Sequence, residues 1–160
     1  MLFVHRVVCL FGIRIHIGGL QLPPVPSGSG SASINLSRAT KLKDITFRHG
    51  SLDMDWIIGA LRTITPNHRD LRQITIYPSS RLTTFNVGTN IRLSIARQWL
   101  DLDRLLVQFW ESRSIRTRVG CVRLGEERET AEYCVGCLLP EAMGKGIVDL
   151  VERREHTQQM

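Results

Sequence analysis

Acidic side chains are missing from the first quarter of the chain: residues 1–43 hold five basic residues and no Asp or Glu. Lysine is scarce everywhere, with three against 18 arginines. The formal net charge of +6 therefore sits on guanidinium groups scattered through patterned segments, not on a lysine-rich tail. Cysteine is too sparse, four in 160 residues, to build a disulfide scaffold, and the thiols read as reduced ones in an intracellular chain. Long apolar runs are missing too. Arg6 interrupts MLFVHRVVCLFGIRIHIGG early and Arg14 follows, so the run of about 18 uncharged apolar residues that a membrane helix needs does not occur. Arg6 also lies inside the apolar run rather than before it, which argues against a secretory signal. The sequon Asn35-Leu36-Ser37 then carries no meaning. Two readings of the N-terminus remain. The acid-free, Ser-rich composition suits an organelle transit peptide; the period-two alternation of GIRIHI suits a strand followed by a loop.

What is present is an ordinary globular composition, 42% hydrophobic and 22% charged, in a chain long enough for one real core. LPPVPSGSGSAS, residues 22–33, is a Pro/Gly/Ser loop that separates an N-terminal strand region, 1–33, from a patterned domain, 34–152; a polar tail, 153–160, follows. Within the domain LKDITF (42–47) and LRQITI (71–76) begin 29 residues apart. Both read as strands, with Leu42, Ile45 and Phe47 matched by Leu71, Ile74 and Ile76. DMDWIIGALRTI between them places Trp56, Ala60, Leu61 and Ile64 on one helical face, with Ser51 or Asp53 to cap it and Pro66 to end it. After a polar loop, PSSRLTTFNVGTN, comes the strongest helix, residues 92–112. Its stripe is Ile95, Trp99, Leu102, Leu106 and Phe109, widened by Leu105 and Trp110, a breadth that suits packing on a sheet. RSIRTRVGCVRL reads as a third strand, with Ile115, Thr117 and Val119 on one side. GEERETAE reads as an acidic surface turn, LLPEAMGKG as a short helix with Pro140 at its start and Gly146 past its end, and GIVDLVE as a fourth strand, with Ile147 and Leu150 matching Leu42 and Ile45.

The predicted fold class is thus α/β, with parallel strands and alternating helices in a leucine-rich-repeat-like solenoid fragment: Leu-x-x-Ile-x-Phe and Leu-x-x-Ile-x-Ile fit the strand core of such a repeat. LSRATKLKDITF, then W-x-x-x-A-L-x-T-I, then HRDLRQITIY, then WLDLDRLLVQFWESRSIR resembles a family of fungal F-box-like, leucine-rich-repeat proteins over roughly residues 34–118, with a weaker echo at GIVDLVE. That resemblance implies repeats that recruit targets to a ubiquitin ligase. The chain departs from the family plan by showing no F-box-like helical segment before residue 34, the pattern of a shortened member.

Residue types associated with chemistry occur without their companions. Cys134-Val-Gly-Cys137 has only Cys121 and His156 as further zinc ligands and does not open a helix after a strand, as a redox pair would; small buried hydrophobes are the plainer reading. Asp101 and Asp103 point apart on a helix and read as solvated positions, Asp101 pairing with Arg97 or Arg104. Gly28-Ser29-Gly30 is flanked by prolines, which denies it the strand and helix of a dinucleotide loop. His68-Arg69-Asp70 matches a kinase triplet by letters only. No complete catalytic set exists, and the expectation is a non-enzyme with no cofactor and no metal.

The candidate site is therefore a surface. Outward strand positions line up as Asp44, Thr46 and Arg48, then Gln73, Thr75 and Tyr77, then Arg116 and Arg118, on strands about 4.8 Å apart. Asp44, Arg48, Gln73, Tyr77, Arg116 and Arg118 are expected to bind a protein partner of acidic character, Arg and Tyr being hot-spot types. The alternative is nucleic acid, on the net charge and the proximity of Arg113, Arg116, Arg118 and Arg123, although no recognition helix or aromatic RNA motif accompanies them. No membrane partner is expected, and the location implied is cytoplasmic or nuclear. An apolar repeat edge at Leu42, Ile45 and Phe47, covered only by the N-terminal strand, predicts self-association.

Overall fold

The computed structural model describes residues 5–10, 13–18, 34–48, 54–78, 93–121 and 124–152. Its centre is a four-stranded, all-parallel sheet of β3 (Asp44–Arg48), β4 (Gln73–Tyr77), β5 (Arg116–Cys121) and β6 (Val148–Glu152), in that spatial order. Helices α1 (Asp55–Arg62), α2 (Leu93–Arg113), α3 (Leu124–Leu138) and α4 (Pro140–Gly144) fill the connections, because parallel neighbours need a crossover. The repeated hexamer sets the register. Asp44 pairs with Gln73, Ile45 with Ile74 and Phe47 with Ile76. The ladder reaches back to Arg72, whose N–H donates to the Lys43 carbonyl at 2.8 Å. Ile45, Phe47, Ile74, Ile76, Thr117 and Val119 point into the helices and are buried, and Leu42 and Leu71 are buried just ahead of their strands.

The fourth strand is shifted by two residues from the expected repeat register. Thr117 pairs with Val148 and Val119 with Leu150, so Val148 stands in the row of Ile45, and Leu150 in that of Phe47. Two residues is one full strand period, so the apolar face survives and only the alignment of the repeat changes.

A two-stranded antiparallel sheet of β1 (His5–Leu10) and β2 (Ile13–Gly18) accounts for the alternation read in GIRIHI. β2 runs close beside β3. Leu42, Ile45 and Phe47 are each fully buried, and the N-terminal strand β2 lies on the side where cover for them was expected. The Pro/Gly/Ser loop, the caps Ser51 and Asp53, the loop at 79–92, Arg123 and the polar tail lie outside the described residues.

α1 buries Ile57, Ile58, Ala60 and Leu61, with Ile64 beyond its end. Trp56 is half-buried and meets Phe47 edge-on at 5.5 Å between ring centres. The first turn is served from α2: the Met54 N–H donates to Gln98 Oε1 at 3.0 Å. α2 buries Trp99, Leu102, Leu106, Val107 and Phe109, with Ile95, Leu105 and Trp110 at its margins.

The expected acidic turn is instead the first half of α3. Ala131, Cys134, Val135 and Leu138 are its buried residues, at i, i+3, i+4 and i+7. Before Ala131 the letters are mostly charged; Arg128, Glu129 and Thr130 are exposed, and Arg128 bonds Glu132 at 2.8 Å across one turn.

Two helices end alike. After α4, the Gly146 N–H donates to the Met143 carbonyl and the Ile147 N–H to Ala142 at 2.9 Å, with Gly146 at φ +66°. After α2, the Ser114 N–H donates to Trp110 at 2.7 Å and the Ile115 N–H reaches Phe109 at 3.4 Å, with Ser114 at φ +56°. Both are left-handed caps in which a buried isoleucine leads into a strand. Serine occupies a position that suits glycine, a strain of roughly 1 kcal/mol. Ser114→Gly is therefore expected to raise the urea unfolding free energy by about 1 kcal/mol, or the Tm by about 2–4 °C. An unchanged or lowered midpoint would count against that strain.

Candidate interaction face

The sheet face turned away from the helices assembles the predicted surface residues into three rows. Asp44, Gln73 and Arg116 form the first; Thr46, Thr75, Arg118 and Asp149 the second; Arg48 and Tyr77 open the third. Asp44, Arg116 and Arg118 are exposed, Arg48, Gln73 and Tyr77 are half-buried, and Thr75 is buried. Gln73 Nε2 donates to Thr75 Oγ1 at 3.2 Å, which ties two adjacent rows.

The third row is built on a glycine. Gly120 follows Val119, the partner of Ile76, and the Tyr77 ring lies across its backbone. A Cβ at Gly120 would meet Tyr77 Cδ1 at 2.0 Å. The Arg48 guanidinium carbon sits 5.0 Å from the centre of the same ring, within cation–π reach. Tyr77 is thus held between a guanidinium and a backbone that lacks a side chain. Gly120→Ala should displace the ring and cost about 1–3 kcal/mol by urea unfolding. Gly136→Ala, where an added Cβ meets nothing, should be neutral or stabilising by up to about 1 kcal/mol. Equal effects at the two positions would reject this role for Gly120.

The cations on the face differ in engagement. Arg116 reaches Asp149 Oδ2 at 3.5 Å and lies 5.8 Å from the centre of the Trp110 ring, so it is held from two sides. Arg118 has no ion pair among the described residues. Exposed pairs of the Arg116–Asp149 kind contribute up to about 1 kcal/mol, and salt screens them.

The cysteines divide: Cys121 and Cys134 are buried, whereas Cys137 is exposed, so the reading of Cys134 and Cys137 as two buried hydrophobes holds for the first alone. Cys134 and Cys137 lie near the C-terminal end of α3, where the helix dipole disfavours a thiolate. Burial, then the neighbouring Cys134, pushes the Cys121 thiol up to about 11. Burial, then Cys137, raises Cys134. Among the described residues no group of three His, Cys, Asp or Glu could hold a metal ion. Asp101 contacts Arg104 at 3.7 Å, one of the two partners expected for it.

Asp103 is not the solvated residue that the helix position implied: it is 3% exposed. Its two carboxylate oxygens accept the N–H groups of Glu141 and Ala142, each at 2.9 Å, and so cap α4 from a distant helix. His68 is fully buried. Its Nε2 donates to the Leu36 carbonyl at 2.8 Å, and its Nδ1 accepts the Thr65 N–H at 3.1 Å, which sets the tautomer. Neither role was legible in the letters of the triplets. The one available signal was that Asp103 falls between Trp99 and Leu106 on the apolar stripe.

No family model, curated protein or solved structure matches the chain. The class rests on the fold: an α/β protein with a four-stranded all-parallel sheet and helices between its strands. No helix among the described residues is long and apolar enough to cross a membrane.

Proposed function

We propose that the chain is a non-enzymatic, leucine-rich-repeat-like scaffold that binds an acidic protein partner through the open sheet face. The observation that carries this reading is the in-register alignment of Asp44, Gln73 and Arg116, and of Arg48 with Tyr77, across consecutive parallel strands. A one-way strand order supports it, because the outward residues of successive strands then form one continuous plane. Arg118 supplies a charge with no ion pair among the described residues, and Tyr77 and Arg48 a preorganised aromatic–cation pair that loses little entropy on docking. By resemblance, the partner is a target that an F-box-type ubiquitin ligase adaptor recognises, in the cytoplasm or nucleus.

The test is affinity capture from native lysate with mass spectrometry, followed by titration of the recovered protein against the purified chain. The Arg116→Glu, Arg118→Glu double variant, shown by circular dichroism to stay folded, should lose about tenfold or more in affinity. Undiminished binding removes those residues, and the absence of any saturable partner removes the reading.

A further inference from the structure

A second charged surface lies at the edge of the sheet where the strands begin. Lys43 immediately precedes β3 and Arg72 immediately precedes β4, and the two are ladder neighbours through the 2.8 Å bond from the Arg72 N–H to the Lys43 carbonyl. The Arg116 N–H donates to the Arg72 carbonyl at 2.9 Å, and Arg116 itself stands one position further along, in the row of Asp44 and Gln73. All three cations are exposed. Lys41 and Arg69 lie two and three residues ahead of Lys43 and Arg72 and are exposed too. Neighbouring strands are about 4.8 Å apart, so Lys43 and Arg72 stand side by side at that pitch, with Lys41 and Arg69 just ahead of them and Arg116 one position beyond.

The charges on this rim are largely unspent. Lys41, Lys43, Arg69 and Arg72 have no ion pair within 4.0 Å among the described residues. Asp44 and Asp70 are the exposed acids close to them in the chain. Asp149 is occupied by Arg116, and Glu111 and Glu141 by Lys145, at 2.7 and 3.0 Å. These two carboxylates, Glu111 foremost, hold Lys145 above its usual range. Helix-end electrostatics accounts for Arg62 and Arg113 in the last turns of α1 and α2. It does not require Lys43 and Arg72, which belong to strands.

We infer that this rim binds the phosphodiester backbone of a nucleic-acid strand. A cluster of exposed cations on adjacent strand starts complements successive phosphates, and such binding needs no base-specific element. Trp110, half-buried beside Arg116 at the same end of α2, offers an aromatic surface for one base. A membrane fits less well. The exposed Leu93 and Leu100 lie on α2 well ahead of its Arg113 end, about 20–30 Å away at 1.5 Å per residue, so they do not flank the cations as an interfacial anchor would.

The test is fluorescence anisotropy of the full chain with a labelled single-stranded 20-mer RNA, the DNA of the same sequence and its duplex, from 50 to 300 mM salt. Binding should weaken with salt with a log–log slope of about −2, as for three phosphates displacing counterions on a single strand. Lys43→Glu with Arg72→Glu should weaken it about tenfold or more. Arg97→Glu with Arg104→Glu, which changes the net charge equally on the solvent side of α2, should change it less than twofold, or about 0.4 kcal/mol or less. RNA over DNA, or single strand over duplex, would identify the ligand within this class. Three results overturn the inference: no binding at 50 mM salt, equal losses in the two double variants, or binding only to phosphatidylserine vesicles. The Arg118→Glu face variant keeps the rim intact, so loss of the protein partner with retained nucleic-acid binding separates the two surfaces.

Discussion

Asp103→Ala is expected to lower the unfolding free energy by about 3 kcal/mol, as read from urea denaturation. Two charge-assisted hydrogen bonds are removed together, each in the range of about 1.5–3 kcal/mol. The losses differ in kind. The Glu141 N–H lies where water can replace the carboxylate, whereas the bond to the Ala142 N–H is buried and its donor would be left unsatisfied. Asp103→Asn retains one acceptor oxygen and should fall between the two. Location gives a second readout. α4 leads directly into β6, so hydrogen exchange in Val148–Glu152 should accelerate ahead of exchange in β3 and β4. A loss below about 1 kcal/mol would show that α4 does not depend on this cap.

His68→Leu should cost about 2–3 kcal/mol although the side-chain volume is nearly kept, because the buried Leu36 carbonyl is left without a partner and the part-buried Thr65 N–H also loses its acceptor. Leu36 is clamped at both backbone groups: its N–H donates to Thr63 Oγ1 at 2.7 Å, and that hydroxyl donates to the Ala60 carbonyl at 2.6 Å. The segment ahead of β3 is therefore fastened to the far end of α1 by one histidine and one threonine. Thr63→Val should weaken the same segment, and the two changes together should be non-additive in a double-mutant cycle. His68→Gln can still donate to the Leu36 carbonyl and should recover part of the loss. Faster exchange or proteolysis confined to residues 36–42 is the expected signature; stability unchanged in His68→Leu would refute the clamp.

The strand pairing was legible because its cause is written twice. LKDITF and LRQITI carry the same apolar positions, and a parallel register 29 residues apart is what two such segments produce when packed side by side. Helix α2 was legible for a similar reason, since Trp99, Leu102, Leu106 and Phe109 recur at helical spacing with Asp103 as the one polar residue on the stripe. The misses share the opposite property. Helix α3 hides because the letters of its first turns, GEERET, are mostly charged and carry no apolar periodicity ahead of Ala131. Asp103 and His68 hide because a buried polar residue and a solvated one have the same letter; only the partner, 38 residues away for Asp103 and 32 for His68, tells them apart. Gly120 gives no local sign that a ring from another strand will lie over it. Alternation placed Thr117 on the buried side of β5, yet no letter shows that its hydroxyl finds no partner there. Alternation was enough to put Asp44, Gln73 and Arg116 in one row and Arg48 beside Tyr77, but not to show that Thr75 is buried. The bonds that engage Arg116 and the stack that holds Tyr77 depend on side-chain geometry that no pattern encodes.

A strand order that follows the chain has a meaning in time. In the main sheet each strand pairs with the one made just before it, so none waits for a partner still to be synthesised. During synthesis, at about 5–20 residues per second, β3 and β4 can meet within seconds of emerging. β5 then finds β4 in place, and β6 finds both β5 and the Asp103 carboxylate already present. The closing loops are of moderate length, and doubling one adds only about 0.6 kcal/mol of entropy. The half-made protein is thus a shorter version of the finished one, with a single growing edge exposed at any moment.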